Sequence, residues 1–363
     1  MEAKQQLKNL SPYKPGKNVE DVKKELGLKR IVKLASNENP FGSSPQVSRA
    51  IEQELKGFHV YPDGYSAVLR KNTAEFLGIS EDQLIFGAGS DEVIQMLCRT
   101  YLTPGSNTVM AEPTFSQYKH NAVIEGAEIR EIPLKNGRHD LEKMAEAADE
   151  HTKIVWLCMV NNPSGEYIRH SELTSFLQKV PSSVLVVCDE AYYEYVVAED
   201  YADTLSVIEQ YPNLVITRTF SKAYGMASLR VGYGIAHPSV ITALETVRPP
   251  FNTTRISQIA AAAALQDQNF IEKCRQVNRD GINAFYRFCD AFNLSYYPSQ
   301  GNFILIDFAR SGDEVFEYLL TNGYIVRTGT ALGYPNAVRI TVGNREQTEE
   351  IIQCLSNWLK KQA

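Results

Sequence analysis

Several features that would tie the 363-residue chain to a membrane, a nucleic acid or an oxidising compartment are missing from it. No apolar run approaches the roughly eighteen residues that a membrane span requires. The polar opening Met1–Leu10 lacks the apolar core of a secretion signal, so a cytoplasmic location is expected. Basic residues are not in excess: 37 Lys and Arg stand against 43 Asp and Glu, a net charge of −6. A general polyanion-binding surface normally carries the opposite sign, which leaves small molecules or protein partners and argues against nucleic acid. Cysteines are few and scattered. Cys98, Cys158, Cys188, Cys274, Cys289 and Cys354 stand singly, and Cys158 and Cys188 lie inside apolar runs where a thiol packs as a small hydrophobe. All six read as reduced and structural, no metal site is expected, and there is no repeat or low-complexity tract.

What remains is the composition of a globular enzyme, 44% hydrophobic and 22% charged, with length enough for two domains. Residues from Leu10 to Lys29 read as an arm leading into a helix, and Val32 to Gly42 as a brief extended run that breaks into an amide-rich turn. Helical spacing follows from about Pro45 to Leu55 and from Ser66 to Leu77. Short apolar runs then alternate with helix-like segments: Thr108–Met110, Ile154–Val160, Val184–Cys188 and Leu214–Ile216. That alternation predicts an α/β fold with a buried, mostly parallel central sheet flanked by helices, whose ligands sit at the carboxyl edge. Beyond Ala236 the pattern shifts to long helices and a few strands, a smaller α+β domain. The expected division is an arm and part of the small domain over 1–42, a large cofactor-binding domain over 43–250, and a small C-terminal domain over 251–363.

The polar residues directly after the apolar runs carry the chemistry. Lys222 follows Leu214–Ile216 among small residues, with Thr219 and Ser221 before it and Arg230 after it. A lysine that attacks a carbonyl needs a lowered pKa, and two hydroxyls with a planar guanidinium suit a dianionic phosphate. Together they point to pyridoxal 5'-phosphate, although an isolated Ser-Lys pair is more often a surface loop. That cofactor also needs an acid at its pyridine nitrogen, donors to its ring oxygen and an aromatic against its face. Asp189 is placed for the first, Asn162 and Tyr192 for the second, and Phe115 for the third. Each has a plainer alternative, a cap, a turn or a core residue, and the case rests on their joint occurrence at strand ends. Gly89-Ser90 before an acidic first turn suits an anion at a helix start, or equally a well-capped helix. Tyr61 lies on a turn, where it could face a ligand or serve structure alone.

The segments Leu34-Ala35-Ser36-Asn37-Glu38-Asn39-Pro40, Gly89-Ser90-Asp91-Glu92, Asn162-Pro163-Ser164-Gly165, Asp189-Glu190-Ala191-Tyr192, Ser221-Lys222-Ala223-Tyr224-Gly225 and Val338-Arg339-Ile340-Thr341 resemble the fold-type-I aminotransferases. The resemblance runs from about Tyr13 to the final helix and is more specific for cofactor and fold than for substrate. It implies that Lys222 bonds the cofactor aldehyde, that Asp189, Tyr192 and Asn162 hold the ring, and that Gly89, Ser90, Thr219, Ser221 and Arg230 hold the phosphate. It further implies that Tyr61 reaches the cofactor phosphate of a neighbouring subunit in a homodimer, that Arg339 and Arg327 bind the substrate anion, and that Asn39 and Tyr13 line the substrate entrance. The implied reaction passes an amino group between histidinol phosphate and 2-oxoglutarate, with phenylalanine or tyrosine as alternative substrates. Two positions depart from the family pattern: Ala88 stands where relatives often have asparagine, and Ser164 where they usually have threonine.

Overall fold

The computed structural model describes residues 2–12 and 17–362. In chain order the strands of its first two-thirds are β1 (Val32–Lys33), β2 (Leu84–Gly87), β3 (Asn107–Glu112), β4 (Glu128–Pro133), β5 (Thr152–Cys158), β6 (Leu185–Asp189), β7 (Leu214–Thr219) and β8 (Gly232–Ala236). Seven of them form one sheet in the order β2-β8-β7-β6-β5-β3-β4. Strand β8 is antiparallel to both its neighbours, and the remaining pairs are parallel. The central strands are rich in Val, Ile and Leu because helices cover both of their faces. Side chains alternate between two cores: Ile154, Trp156 and Cys158 enter one, and Val155 and Leu157 enter the other.

Strand β4 does not stand out in the sequence as the other runs do. Its Glu-Ile-Arg-Glu-Ile-Pro pattern belongs to a sheet edge, where every residue is at least partly exposed and a terminal proline costs no ladder bond.

The second unit is built on β9 (Ser295–Tyr296), β10 (Phe303–Asp307), β11 (Tyr324–Ile325), β12 (Arg327–Thr328) and β13 (Ala337–Thr341). Four of these make an antiparallel sheet, β12-β13-β10-β9, covered by helices Gln268–Ala291, Gly312–Thr321 and Arg345–Gln362. The start of the chain joins this unit, since β1 pairs in parallel with β11. Helix Arg255–Leu265 instead packs on helices Pro45–Glu54 and Ala67–Leu77, and its Ala260, Ala261 and Ala264 enter the core of the large sheet. Among the described residues no helix is long and apolar enough to cross a membrane.

Two features of this architecture set up a site. The register of the parallel strands puts Cys158, Asp189 and Thr217 side by side at the carboxyl edge. Beyond it, the loop after β7 turns at Gly225, whose φ of +69° and missing side chain let another backbone approach. A Cβ there would fall 1.7 Å from the carbonyl oxygen of Gly42. Gly225→Ala is therefore expected to lower the unfolding free energy by at least ~2 kcal/mol, because positive φ and backbone overlap are penalised together. Urea denaturation checks this, and a wild-type midpoint would show that the Gly42 segment yields without cost.

Candidate active site

A cavity of about 590 Å³ opens at the carboxyl edge of the large sheet, closed on its far side by the small sheet and the segment after β1. Lys222 projects into it from the loop after β7. Its amine donates to the Ser36 carbonyl at 3.1 Å and lies 5.8 Å from the centre of the Tyr192 ring. Burial pulls its pKa down to about 8, helped by the guanidinium of Arg339 and opposed by Asp91 and Glu38. A neutral amine is thus accessible near neutral pH, as carbonyl chemistry requires.

Asp189 ends β6 at 3% exposure. Its Oδ2 accepts from the Tyr118 hydroxyl at 2.6 Å and its Oδ1 from Thr217 Oγ1 at 3.0 Å. Burial raises its pKa to about 6 against those hydrogen bonds. Tyr118 stacks on Trp156 with ring centroids 4.8 Å apart and meets Phe115 edge-on at 5.5 Å, which places Phe115 over the cavity.

The opposite wall carries arginines. Arg339 on β13 donates to Asn162 Oδ1 at 2.5 Å and to the Ala35 carbonyl at 2.7 Å, with its guanidinium 5.4 Å from the Phe303 ring centre. Arg327 on β12 is its cross-strand partner, and both line the cavity. Tyr192 faces them, and its hydroxyl accepts from Asn37 Nδ2 at 2.9 Å. Burial pushes ionisation of that hydroxyl well above its ordinary value.

At one end of the cavity helix Ser90–Tyr101 begins, preceded by Gly89 at φ +85°. A Cβ at Gly89 would lie 2.7 Å from an Arg230 amino group, so only glycine keeps the helix start open. Arg230 donates to Ser221 Oγ at 3.2 Å and to the Ala88 carbonyl at 3.3 Å, and it pairs with Asp91 at 3.5 Å. Thr219 Oγ1 accepts from the Ser221 N–H at 3.2 Å. Helix N–H groups, two hydroxyls and a guanidinium converge here in the way an anion site requires.

The structure therefore gathers Lys222, Asp189, Tyr192, Asn162, Phe115, Gly89, Ser90, Thr219, Ser221, Arg230, Arg339 and Arg327 around one cavity. Asn39 lies outside its lining, with its amide donating to the Ala223 carbonyl at 2.7 Å and to Cys274 Sγ at 3.2 Å. Tyr61 also lies outside it, 76% exposed and stacked on Phe251 at 4.6 Å. Tyr13 falls outside the described residues. Four groups carry no role in the sequence reading: Asn37 and Asp91, which line the cavity, and Tyr118 and Thr217, which hold Asp189 from behind it. Asn37 hid in a turn that reads as a loop, Tyr118 and Thr217 look like core, and Asp91 like an ordinary first-turn acid.

The family model for aminotransferase class I and II matches residues 29–355, and the chain belongs to that family. It is 61% identical over 361 residues to the histidinol-phosphate aminotransferase of Anoxybacillus flavithermus, covering 99% of this chain and 97% of that protein. Against the Bacillus subtilis histidinol-phosphate aminotransferase the identity is 56% over 360 residues, 99% of this chain and 100% of that one. The crystal structure of histidinol-phosphate aminotransferase from Sinorhizobium meliloti in complex with pyridoxal-5'-phosphate superposes with a TM-score of 0.90 at 25% identity, covering 99% of this chain and 98% of that chain. A double mutant of Thermus thermophilus aspartate aminotransferase shares the fold, with a TM-score of 0.84 at 20% identity, covering 98% and 99%. The fold is that of the fold-type-I aminotransferases, and the enzyme is dependent on pyridoxal phosphate. The cavity fits that group: an amine of lowered pKa for the aldehyde, a buried carboxylate held by hydroxyls for the pyridine nitrogen, and a glycine-opened cradle for the phosphate.

The raised pKa of Asp189 has a stability signature. An unfolded aspartate titrates near 3.8 and this one near 6, so between those values the folded chain holds the extra proton. Unfolding free energy therefore falls as pH rises from about 4 to about 6 and stays lower above that. Asp189→Asn in ligand-free protein is expected to flatten this slope and to be more stable than wild type near pH 7, by at most ~3 kcal/mol. Denaturation curves from pH 4 to 7 measure it, and parallel profiles for the two proteins would contradict the burial of the charge.

Proposed function

We propose that the enzyme exchanges an amino group between histidinol phosphate and 2-oxoglutarate, giving imidazole acetol phosphate and glutamate, as a cytoplasmic homodimer of histidine biosynthesis. The observation that carries this reading is 54–61% identity, over essentially the whole chain, to proteins of that activity. When bound, pyridoxal phosphate supplies an aldehyde that bonds amines and an electron-poor ring that takes up the electron pair released at the adjacent carbon. The chain's own groups do the rest. The Asp189 carboxylate holds a proton at the ring nitrogen, which it can do without leaving an uncompensated charge once that nitrogen is cationic. Tyr192 and Asn162 donate to the ring oxygen, and Phe115 covers the ring face. The helix start at Gly89-Ser90, with Thr219, Ser221 and Arg230, holds the phosphate.

Lys222, released as a free amine, takes the proton from the amino-bearing carbon of the substrate and returns it one position along. Its pKa of about 8 suits that duty near neutral pH. Arg339 and Arg327 meet the substrate anion. Histidinol phosphate presents a phosphate where glutamate presents a carboxylate, and a planar guanidinium pairs bidentately with either. The aromatic amino-acid alternative draws no comparable support from the relatives.

The homodimer reading draws on an exposed apolar band. Leu55, Phe58, Val60, Tyr61, Tyr65 and Phe251 all face solvent in the single chain, and large apolar side chains exposed together mark an interaction surface. In this reading Tyr61 completes the phosphate site of the partner subunit, and the two cavities share residues across a two-fold axis.

Single-turnover half-reactions test the substrate assignment. Histidinol phosphate and glutamate are expected to react fastest, with phenylalanine and tyrosine at least ~10-fold slower in kcat/KM, about 1.4 kcal/mol. Faster turnover of phenylalanine than of histidinol phosphate would overturn it. In the same assay Arg339→Gln should lose ~10²-fold or more in both directions, since a charge-assisted bidentate contact and its anion are stranded together. Shared sites are tested by mixing inactive Tyr61→Ala and Lys222→Ala chains. Recovered activity after subunit exchange is expected, and none after confirmed exchange would confine each site to one chain.

A further inference from the structure

Asn37 sits where the segment after β1 crosses onto β13, 1% exposed and at φ 56°. Among residues with a side chain, asparagine is one that tolerates this left-handed conformation. Its polar groups are all engaged. The backbone N–H donates to Thr341 Oγ1 at 3.0 Å, and the backbone carbonyl accepts from Asn302 Nδ2 at 3.0 Å. The side-chain Oδ1 accepts from Thr341 Oγ1 at 3.0 Å, and Nδ2 donates to the Tyr192 hydroxyl at 2.9 Å.

The directions of these bonds follow from counting protons. The Thr341 hydroxyl already accepts from a backbone N–H, which can only donate, so its own single proton must go to the atom of the Asn37 amide that faces it. That atom must be the oxygen. The flipped amide would aim two donors at the hydroxyl and leave its proton without an acceptor at a residue only 2% exposed, a costly arrangement. The amide nitrogen therefore faces Tyr192, where it can only donate. The Tyr192 oxygen is then the acceptor, and its one proton is left to point into the cavity.

We propose that Asn37, oriented by Thr341, is a positioning residue that fixes Tyr192 as a hydrogen-bond donor toward the cavity. This deepens the proposed function and rests on it, because the acceptor in the cavity is the ring oxygen of bound pyridoxal phosphate. A donor to that oxygen stabilises its negative charge. The imine nitrogen of the lysine-bound cofactor, which otherwise shares its proton with that oxygen, then loses the proton at lower pH. Arg339 and Thr341 are two residues apart on β13 and so share a face, which carries the substrate-anion arginine and the orienting hydroxyl on one short strand. The charged and titratable groups that face Tyr192 are Arg339, Lys222, Asp189, Cys158 and Tyr195, and substitution at Asn37 leaves each of them in place.

The test is a spectrophotometric pH titration of the visible band of the holoenzyme without substrate. Asn37→Asp reverses the bond, since a carboxylate takes the Tyr192 proton, and should move the midpoint up by about one unit or more, tenfold in proton affinity. Asn37→Gly, which keeps the left-handed backbone, and Thr341→Val should shift it in the same direction by less, while Thr341→Ser should restore the wild-type midpoint. In a Tyr192→Phe background Asn37→Gly should add nothing, because the effect passes through Tyr192. Wild-type midpoints for Asn37→Asp and Asn37→Gly, with the band at full amplitude, would overturn the proposal, and so would shifts that add to that of Tyr192→Phe. A wild-type protein that shows no visible band with the cofactor would instead remove the functional reading and this inference with it.

Discussion

A carboxylate held 3% exposed between two hydroxyls is the constraint around which this site is arranged. Burying the charge of Asp189 is unfavourable until a cation meets it, and the surrounding sheet is organised to keep it in place meanwhile. The chain of support can be followed outward. Tyr118 donates to Asp189 and stacks on Trp156, and the Trp156 indole N–H donates to Thr108 Oγ1 at 2.9 Å. Thr108 in turn donates to the Ile154 carbonyl at 2.8 Å. These contacts, hydrogen bonds except for the stacked Trp156–Tyr118 pair, run between β5 and β3 and then through the helix Gln117–Glu125 to the end of β6, with the position of one hydroxyl as their outcome. Next to Asp189 in sequence, Glu190 forms a buried ion pair in which Arg218 Nε and Nη2 both meet its Oε2 at 2.8 Å, and its Oε1 accepts from Thr204 Oγ1 at 2.9 Å. A pair so enclosed adds little net stability, but removing either partner would strand the other charge beside the site.

The second organising element is the segment from Leu34 to Asn39, which spends almost every polar group on a different part of the site. The Leu34 carbonyl takes the Thr341 N–H, that of Ala35 takes Arg339, and that of Ser36 takes Lys222. Asn37 reaches Tyr192, and Asn39 reaches the carbonyl next to the lysine. This short segment therefore ties the small sheet, Arg339 and the lysine loop together. Gly225 permits this by letting the backbone at Gly42 lie against the lysine loop.

Much of this was legible before any coordinates, for a physical reason. Residues at the ends of buried parallel strands are announced by the apolar runs before them, so Asp189, Asn162 and Lys222 could be located from pattern alone. The amide-rich turn at Ser36–Asn39 carried no such announcement, because a turn's contacts are set by what it packs against and not by its period. Asn37 and Asn39 illustrate the point: two residues apart in one motif, they face different partners, and of the two only Asn37 lines the cavity. Tyr118 was hidden for the opposite reason. It looks like an ordinary core aromatic, and only its hydroxyl on Asp189 sets it apart from one. The edge strand β4 was obscured because an edge does not need an apolar run.

The electrostatics of the cavity link its two duties. The cavity lining is nearly balanced in sign, with Lys119, Lys222, Arg230, Arg327 and Arg339 against Asp91, Glu112, Glu131 and Asp189, in a chain of net charge −6. What suits anionic ligands is therefore the placement of three guanidiniums on the wall, Arg230 at the helix start and Arg327 beside Arg339 on the small sheet, rather than a net excess of charge. Burial depresses the amine of Lys222 most, and the Arg339 guanidinium adds to that against Asp91 and Glu38. On the proposed function these effects are coupled. An anion paired with Arg339 offsets the repulsion that the guanidinium exerts on Lys222, so the amine becomes more basic when a substrate is seated. An amine that is weakly basic when empty reaches the neutral form needed to bond a carbonyl, and one that gains basicity with substrate in place is the better proton acceptor in the next step. One arginine, held by Asn162 and Ala35, thereby tunes the lysine for both tasks without any change in the fold.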